Sequence, residues 1–291
     1  MPELPEVETI VRDLQKIIVG KTIASFLYKQ KNSLKKEKIE KQFIEGARVM
    51  SVERKGKNIC ITVKKDNAEL RIVIHLKMTG HILMGKWKKE EDVWIAKEDQ
   101  GVLKEKVNSY IRAMWIYDDG SQMALCDARK FARILIGSVR EIEDHPWMKS
   151  IGPDVFDKQL SADMLYEKTK KRTVTIKQIL LNQTILAGIG NIYADEILWE
   201  SKIDPRTKAS DLSREVWGYV LKIARSVIKR AIKARGASMS DYRDVYGKKG
   251  LYGEMRMVYR RTGKKCARCG RIIERMVIAG RGTHWCSGCQ R

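Results

Sequence analysis

Cys266-Ala-Arg-Cys269 and, after sixteen intervening residues, Cys286-Ser-Gly-Cys289 set the architecture at the C-terminal end of this chain. Two Cys-x2-Cys turns, each associated with a glycine, place four thiolates for one tetrahedral zinc ion. Four sulfurs leave no open coordination position, so this Zn2+ is expected to be structural, holding a β unit too small to have its own core. Redox-active cysteine pairs are the alternative, and the doubled pair at this spacing favours zinc. His284 lies two residues before Cys286, but four cysteines already fill the shell and it is not expected to be a ligand. Cys60 and Cys126 fall in strand-like runs and read as ordinary core residues.

Working back from the cysteines, Leu212–Arg235 reads as a long helix closed by Gly236. Leu212, Val216, Tyr219, Ile223, Val227 and Ala231 are expected inward, with Lys222, Arg225, Lys229, Arg230 and Lys233 on the other face. Val174, Ile176, Ile179 and Leu180 form a shorter apolar stripe, and a helix over Ile192–Trp199 follows the Ala-Gly-Ile-Gly-Asn break at 187–191. Pro146 and Ile-Gly-Pro-Asp at 151–154 read as a linker. Between Lys21 and Gly137 the pattern is instead of short β-rich runs, with turn signals at 65–67 and 118–120. These runs are Thr22–Tyr28, Val49–Arg54, Ile59–Val63, Leu70–Leu76, Ile111–Tyr117, Gln122–Cys126 and Ile134–Ile136. The charged stretch Gly85–Asn108 reads as a long surface loop. One amphipathic helix leads the chain, with Val7, Ile10, Val11, Leu14 and Ile17 inward, Glu3, Glu6 and Glu8 near its positive end, and Gly20 after it. The expected class is α+β: a leading helix with a β-sandwich or barrel, then helices, then a small cysteine-bound β unit. The expected divisions are 1–145, a linker at 146–157, a helical part at 158–253 and the zinc unit at 254–291.

The 291 residues include 58 Lys+Arg against 36 Asp+Glu, a formal net charge of +22. The last 86 residues, from Arg206, hold 22 of the basic residues and 6 of the acidic ones. A tail that basic attracts phosphate backbones through counterion release, although a solubilising surface has the same composition. No run approaches the ~18 apolar residues that span a bilayer, so no membrane partner is expected. The acidic N-terminus does not resemble a signal peptide, which points to the cytosol.

Pro2 follows Met1, and a small second residue of this kind leads to removal of the initiator. The exposed secondary amine then attacks an aldehyde-like carbon to give an iminium, as lysine does elsewhere. An α-amine also titrates near about 7.7–8.0, well below lysine's ~10.4. Glu3 beside it can move protons. On these residues alone the plainer reading suffices: a proline tolerated in a first helical turn, followed by acids that favour the dipole.

Met1-Pro-Glu-Leu-Pro-Glu-Val-Glu-Thr9 resembles the N-terminal signature of the formamidopyrimidine-DNA glycosylases, and the likeness continues in order along nearly the whole chain. Arg54-Lys-Gly-Lys57 is similar to the family's β-hairpin lysine motif, and His75-Leu-Lys-Met-Thr-Gly80 to its following strand and loop. Asp127-Ala-Arg-Lys-Phe131 resembles its intercalation loop. Leu186–Glu196 resembles its helix–two-turn–helix, and Ala279–Cys286 its zinc finger. The resemblance implies an N-terminal helix plus β-sandwich domain followed by a helix–two-turn–helix domain with a β-hairpin zinc finger. It implies a monomeric enzyme of the bacterial cytosol or nucleoid, acting on damaged double-stranded DNA. It implies excision of oxidised purines, 8-oxoguanine and formamidopyrimidines, with β,δ-elimination at the resulting abasic site.

By the same resemblance Pro2 is the nucleophile, Glu3 moves protons, Lys57 contacts phosphate and assists, and Arg281 contacts phosphates and aids the second elimination. Met78, Arg129 and Phe131 fill the hole left by a flipped base. Asn191 holds a phosphate at a helix start, and Glu6 supports the active site. Each has a plainer role too: core for Met78 and Phe131, surface charge for Arg129 and Arg281, turn former for Asn191. His75 is assigned no catalytic role.

Four places depart from the family pattern. Ala132 stands where glycine is usual, Gly253 where glutamine is, and Lys265 where proline is common. Ser109-Tyr-Ile-Arg112 replaces a Lys-His-x-His-like element, leaving Tyr110 or Arg112 to make the DNA contact expected there. The stretch 236–253 lies where the family covers the flipped base. Rival readings are an endonuclease VIII-like enzyme acting on oxidised pyrimidines, a zinc-finger DNA-binding protein without activity, and an RNA-binding protein.

Overall fold

The structure is a computed structural model describing residues 1–28, 44–91, 93–97, 101–239 and 242–291. It begins with helix α1 (Leu4–Ile18), whose apolar stripe Val7, Ile10, Val11, Leu14 and Ile18 is buried. Strands β1 (Ile23–Tyr28), β2 (Arg48–Lys55), β3 (Asn58–Lys65), β4 (Ala68–His75) and β5 (His81–Gly85) follow. After them come β6 (Trp87–Glu90), β7 (Val93–Ala96), β8 (Ile111–Tyr117), β9 (Gln122–Cys126) and β10 (Arg133–Ser138). Eight of these ten form two four-stranded antiparallel sheets, ordered β1-β8-β9-β5 and β10-β4-β3-β2. Alternate residues of both sheets, including Ile59, Ile61, Val63, Ile72 and Ile74 from one and Phe26, Trp115 and Leu125 from the other, share a core with α1. A β-sandwich closed by the leading helix is the result.

The stretch Gly85–Asn108 is not the irregular loop expected. β6 and β7 pair as a hairpin, and 3-10 turns follow at Gly101–Lys104 and Lys106–Ser109; residues 92 and 98–100 lie outside the described residues. Trp87, Ala96 and Leu103 bury themselves with Leu83, Met114, Ala124 and Cys126 on the outer face of the β5–β9–β8 sheet. Three apolar residues scattered among charges carry too weak a period to be read as strands.

The chain next forms α2 (Val139–Asp144), α3 (Pro146–Lys149), α4 (Ala162–Thr169), α5 (Ile176–Leu181), α6 (Asn191–Glu200), α7 (Arg214–Lys233) and α8 (Tyr252–Met255). Strands β11 (Glu274–Ile278) and β12 (Arg281–Trp285) complete it. The chain divides into two compact units, Met1–Lys149 with Ala234–Leu251, and Ser150–Lys233 with Tyr252–Arg291. Ala234–Leu251, grouped with the helices on sequence, thus packs with the sandwich: Tyr242 and Val245 enter its core. Residues 240–241 of the stretch 236–253 lie outside the described residues.

Helix α7 corrects the inward face read from sequence. Trp217, Val220, Leu221, Ala224, Val227, Ile228 and Ala231 are buried, whereas Tyr219 is 45% exposed and Val216 and Ile223 are half-buried. Two stripes about one residue apart are both apolar there, and packing chose the one carrying Trp217. Among the described residues no helix is long and apolar enough to cross a membrane. Replacing Trp217 by Ala is expected to cost the second unit about 3–5 kcal/mol in urea unfolding, and Tyr219→Ala less than about 0.5 kcal/mol.

Candidate active site and nucleic-acid interface

In the first unit the N-terminal residues are held from two sides. Pro2 and Glu3 are buried, while Met1 is half exposed. Glu3 is the N-cap of α1, and its N–H donates to Glu6 Oε2 at 2.7 Å. Glu6 Oε1 accepts from the N–H of Ala237 at 2.7 Å, and its carbonyl accepts from Tyr242 Oη at 3.4 Å. The Glu6 side chain therefore braces the backbone of Glu3, the residue that follows Pro2. Gly236 makes the approach possible: it has φ +81°, and a Cβ there would lie 2.7 Å from Glu6 Oε1.

Two residues further along α1, Glu8 Oε2 accepts from Arg54 Nε at 2.7 Å, and Arg54 Nη1 donates to Gly56 O at 3.0 Å. Burial alone would raise the Glu8 pKa, but Arg54 and Arg12 outweigh it and hold the carboxylate below its usual range. This pair ties α1 to the β2–β3 turn, Gly56-Lys57, where Gly56 takes φ +59° as the first central residue of a tight hairpin. Lys57 is buried in that turn.

His75 pairs with Asn58, the residue after Lys57. Its Nδ1 accepts from the Lys77 N–H at 2.9 Å. Burial, then the charges of Lys77 and Lys57 with a further contribution from Arg133, push the imidazole down to about 3.

The structure brings Met78, Arg129 and Phe131 together. Arg129 Nη1 lies 3.5 Å from Met78 Sδ and its guanidinium carbon 4.6 Å from the centroid of the Phe131 ring. Met78 is 48% and Phe131 47% exposed, and their meeting at Arg129 leaves an apolar wedge around one cation at the surface. The organiser of this loop is Asp127, to which the sequence reading gave no individual role. Fully buried, it accepts from the N–H of Arg129 at 3.1 Å, from the N–H of Ala132 at 2.7 Å and from the Thr79 hydroxyl. An aspartate opening a short polar turn is a readable signal for such backbone capture. Lys130 supplies the left-handed residue, φ +59°, and Ala132 is not in that region, so alanine fits where the family has glycine. Tyr110 is half-buried and its carbonyl accepts from the Asp127 N–H at 2.9 Å; Arg112 Nε donates to Asp127 O at 2.7 Å.

In the second unit the four cysteine sulfurs all lie within 4.8 Å of one another. Four sulfurs this close, in two Cys-x2-Cys turns, are a tetrahedral thiolate donor set, and their mutual repulsion as thiolates is relieved by a cation at the centre. Cys266, Cys269, Cys286 and Cys289 are thus the ligands of one structural zinc. His284 is engaged elsewhere, its N–H and Nδ1 lying 2.8 and 3.0 Å from Asp195 Oδ2. Arg281 is exposed at the start of β12, beside the two-residue turn Ala279-Gly280, whose positive φ values fit a tight hairpin.

What holds that hairpin was not visible from sequence. Lys177 on α5 and Asp195 on α6 form a fully buried ion pair of 2.6 Å. Lys177 Nζ also donates to Thr283 Oγ1 at 2.7 Å and Gly282 O at 3.3 Å. Asn191 joins them, with Nδ2 donating to Gly282 O at 2.8 Å, while its buried Oδ1 has no hydrogen-bond partner among the described residues. Both lysine and aspartate sit in helical runs where a surface position is the default.

Comparison with known proteins places these features. Residues 1–134 match the family described as the formamidopyrimidine-DNA glycosylase N-terminal domain, and 151–243 its H2TH domain. Residues 263–291 match the zinc finger found in FPG and IleRS. A formamidopyrimidine-DNA glycosylase of Desulforamulus reducens is 35% identical over 295 residues, covering 100% of this chain and 99% of that one. One from Bacillus cereus is 32% identical over 293 residues, with 100% and 99% covered. The Lactococcus lactis Fpg in complex with abasic-site DNA superposes with a TM-score of 0.82 at 30% identity, covering 99% of each chain. Its complex with DNA containing Fapy-dG gives 0.82 at 30%, covering 99% and 100%. Fold, metal centre and matched domains together define a DNA glycosylase of base-excision repair. The chain belongs to the formamidopyrimidine-DNA glycosylase family.

Two outcomes follow from this geometry. Dialysis against a strong chelator should release one zinc per chain and disorder residues 263–291, seen as loss of amide protection there; retained protection after complete metal loss would contradict a metal-held hairpin. An unfolded histidine titrates near 6.5, so below that pH the unfolded chain takes up a proton that His75 in the fold refuses. Stability present above pH 6.5 is therefore lost as pH falls towards 3. His75→Gln should lose less, the difference growing by up to about 1.4 kcal/mol per pH unit in denaturant melts between pH 6.5 and 4.5.

Proposed function

We propose that this enzyme excises oxidised purines from double-stranded DNA and then cleaves the strand, using the N-terminal amine of Pro2 once Met1 has been removed. The amine nitrogen bonds to C1′ of the damaged nucleotide as the glycosidic bond breaks and the base leaves. Opening of the sugar ring gives a Pro2–C1′ iminium, with Glu3 exchanging the proton at the ring oxygen. The iminium acidifies the C2′ protons, so loss of one expels the 3′ phosphate. A second elimination expels the 5′ phosphate, with Arg281 pairing that leaving group and Lys57 a neighbouring phosphate. Water then releases the sugar fragment and restores the amine. Glu6 braces Glu3, and Asn191 helps seat the backbone. Zinc has no part in these steps; it shapes the hairpin that carries Arg281.

The observation that carries this reading is the exposed cluster of Met78, Arg129 and Phe131. An enzyme that works on a base must take it out of the stack, and the vacated space needs an apolar filler with a donor for the orphaned partner base. Surface Met and Phe packed around an arginine supply both, with Tyr110 and Arg112 anchored to the same Asp127 loop. Preference for purines is supported by the solved relative bound to Fapy-dG DNA.

Borohydride added to the enzyme with a duplex carrying 8-oxoguanine opposite cytosine should trap a covalent adduct whose mass matches a chain lacking Met1. Pro2→Gly should lower trapping about tenfold or more, since an imprecisely placed nucleophile loses the proximity advantage. Arg129→Ala should slow excision by roughly tenfold while cleavage at a preformed abasic site changes less. Trapping confined to a duplex with an oxidised pyrimidine would move the enzyme to endonuclease VIII-like substrates. Absence of any adduct with a processed N-terminus would sink the mechanism.

A further inference from the structure

The excursion from Trp87 to Ser109 plays no part in the chemistry proposed above, yet it touches the segment Ala234–Leu251 at several points. The N–H of Met84, at the end of β5 where the excursion begins, donates to Val245 O at 2.7 Å. Gly247 has φ +79°, and a Cβ there would stand 2.7 Å from Val102 Cγ1, so the Val102 side chain lies directly against the turn. Arg243, 8% exposed, donates through Nη2 to Glu105 Oε2 at 2.9 Å and through Nη1 to Tyr242 O at 3.0 Å. A guanidinium so enclosed has to be paired, and Glu105 is its carboxylate.

The 242–248 turn of that segment is compact within itself. Asp244 Oδ1 accepts from the N–H groups of Tyr246 and Lys248 at 3.0 and 2.9 Å, and Oδ2 accepts from Arg235 Nε at 2.8 Å. Arg235 pairs in turn with Asp13 of α1. At its root the segment bonds Glu6 through Ala237, next to Pro2 and Glu3. These bonds link the contacts at 243 and 247, through Asp244 and Arg235, to the backbone that meets Glu6 beside the N-terminal residues.

We propose that Glu105 and Arg243 are positioning residues for base recognition: the excursion uses this ion pair, with Val102 against Gly247, to hold the 242–248 turn against the damaged base. The inference rests on the base-excision reading above, because it assigns the turn to the base rather than to the sugar or phosphates. An abasic site has no base to be held, so loss of the clamp spares cleavage there.

The test compares wild type, Glu105→Gln, Glu105→Arg and the double variant Glu105→Arg/Arg243→Glu. Single-turnover excision of 8-oxoguanine is measured beside cleavage of a preformed abasic duplex, with amide exchange followed at 242–248. Glu105→Gln should slow excision about tenfold, leave abasic cleavage within about twofold, and speed exchange in that turn alone. Glu105→Arg should be worse, and the double variant should recover part of the loss. Equal loss on both duplexes, or unchanged exchange at 242–248, would overturn the clamp. A wild type that cleaves abasic DNA yet excises no base would instead refute base excision, and the exchange measurement would still decide whether Glu105 holds the turn.

Discussion

The carboxylate of Glu6 is 1% exposed, and both of its oxygens are committed: one to the N–H of Glu3, the other to the N–H of Ala237, 231 residues further along. Burying a carboxylate is costly unless its lone pairs are met, and backbone N–H groups at a helix start meet them while the helix dipole favours the charge. The start of the chain is thereby fixed by the fold rather than left to fray, as termini otherwise do. The constraint runs both ways. Gly236 has no room for a Cβ against Glu6 and takes a left-handed φ, so the turn after α7 and the start of α1 specify one another.

Buried charges do comparable work elsewhere. In the second unit Lys177 and Asp195 neutralise each other and spend their remaining hydrogen bonds on Gly282, Thr283 and His284, the residues that follow Arg281. Such a pair contributes little net stability, but it accepts only one arrangement of its partners. In the first unit Asp127 collects the amides of Arg129 and Ala132, so that Arg129 meets Met78 and Phe131. In all three cases an acidic side chain turns irregular backbone into a defined geometry, which is what a residue acting on DNA requires of its neighbours.

Legibility from sequence followed the range of the interaction. The strands Ile111–Tyr117 and Gln122–Cys126 coincide with the short β-rich runs of the sequence, because a strand covered on both faces is written locally as a nearly continuous apolar run. The cysteine cluster was equally readable, since spacing within two turns is itself the geometry. In α7 the sequence offered two adjacent apolar stripes, and only packing selected Trp217 over Tyr219. The β6–β7 hairpin was hidden because Trp87 and Ala96 acquire their apolar setting from the outer face of another sheet. Of the candidate site, the residue types and their order were legible, and Asp127 carries a local turn signal, whereas the braces Lys177 and Asp195 were not legible, each being defined by partners distant in the chain.

Resemblance to a known family supplied the choice of a sandwich over a barrel and the residues of a DNA-acting site; by itself, the sequence determined the α+β class, a leading helix with a β-sandwich or barrel, and the metal centre. Those depend on periodicity, turn chemistry and spacing, which are local. Tertiary structure alone decided that Ala234–Leu251 belongs with the sandwich, that Glu6 joins residue 3 to residue 237, and that Met78 meets Arg129 and Phe131. A buried carboxylate must find donors wherever the fold can supply them, and no local pattern in a chain names a partner more than two hundred residues away.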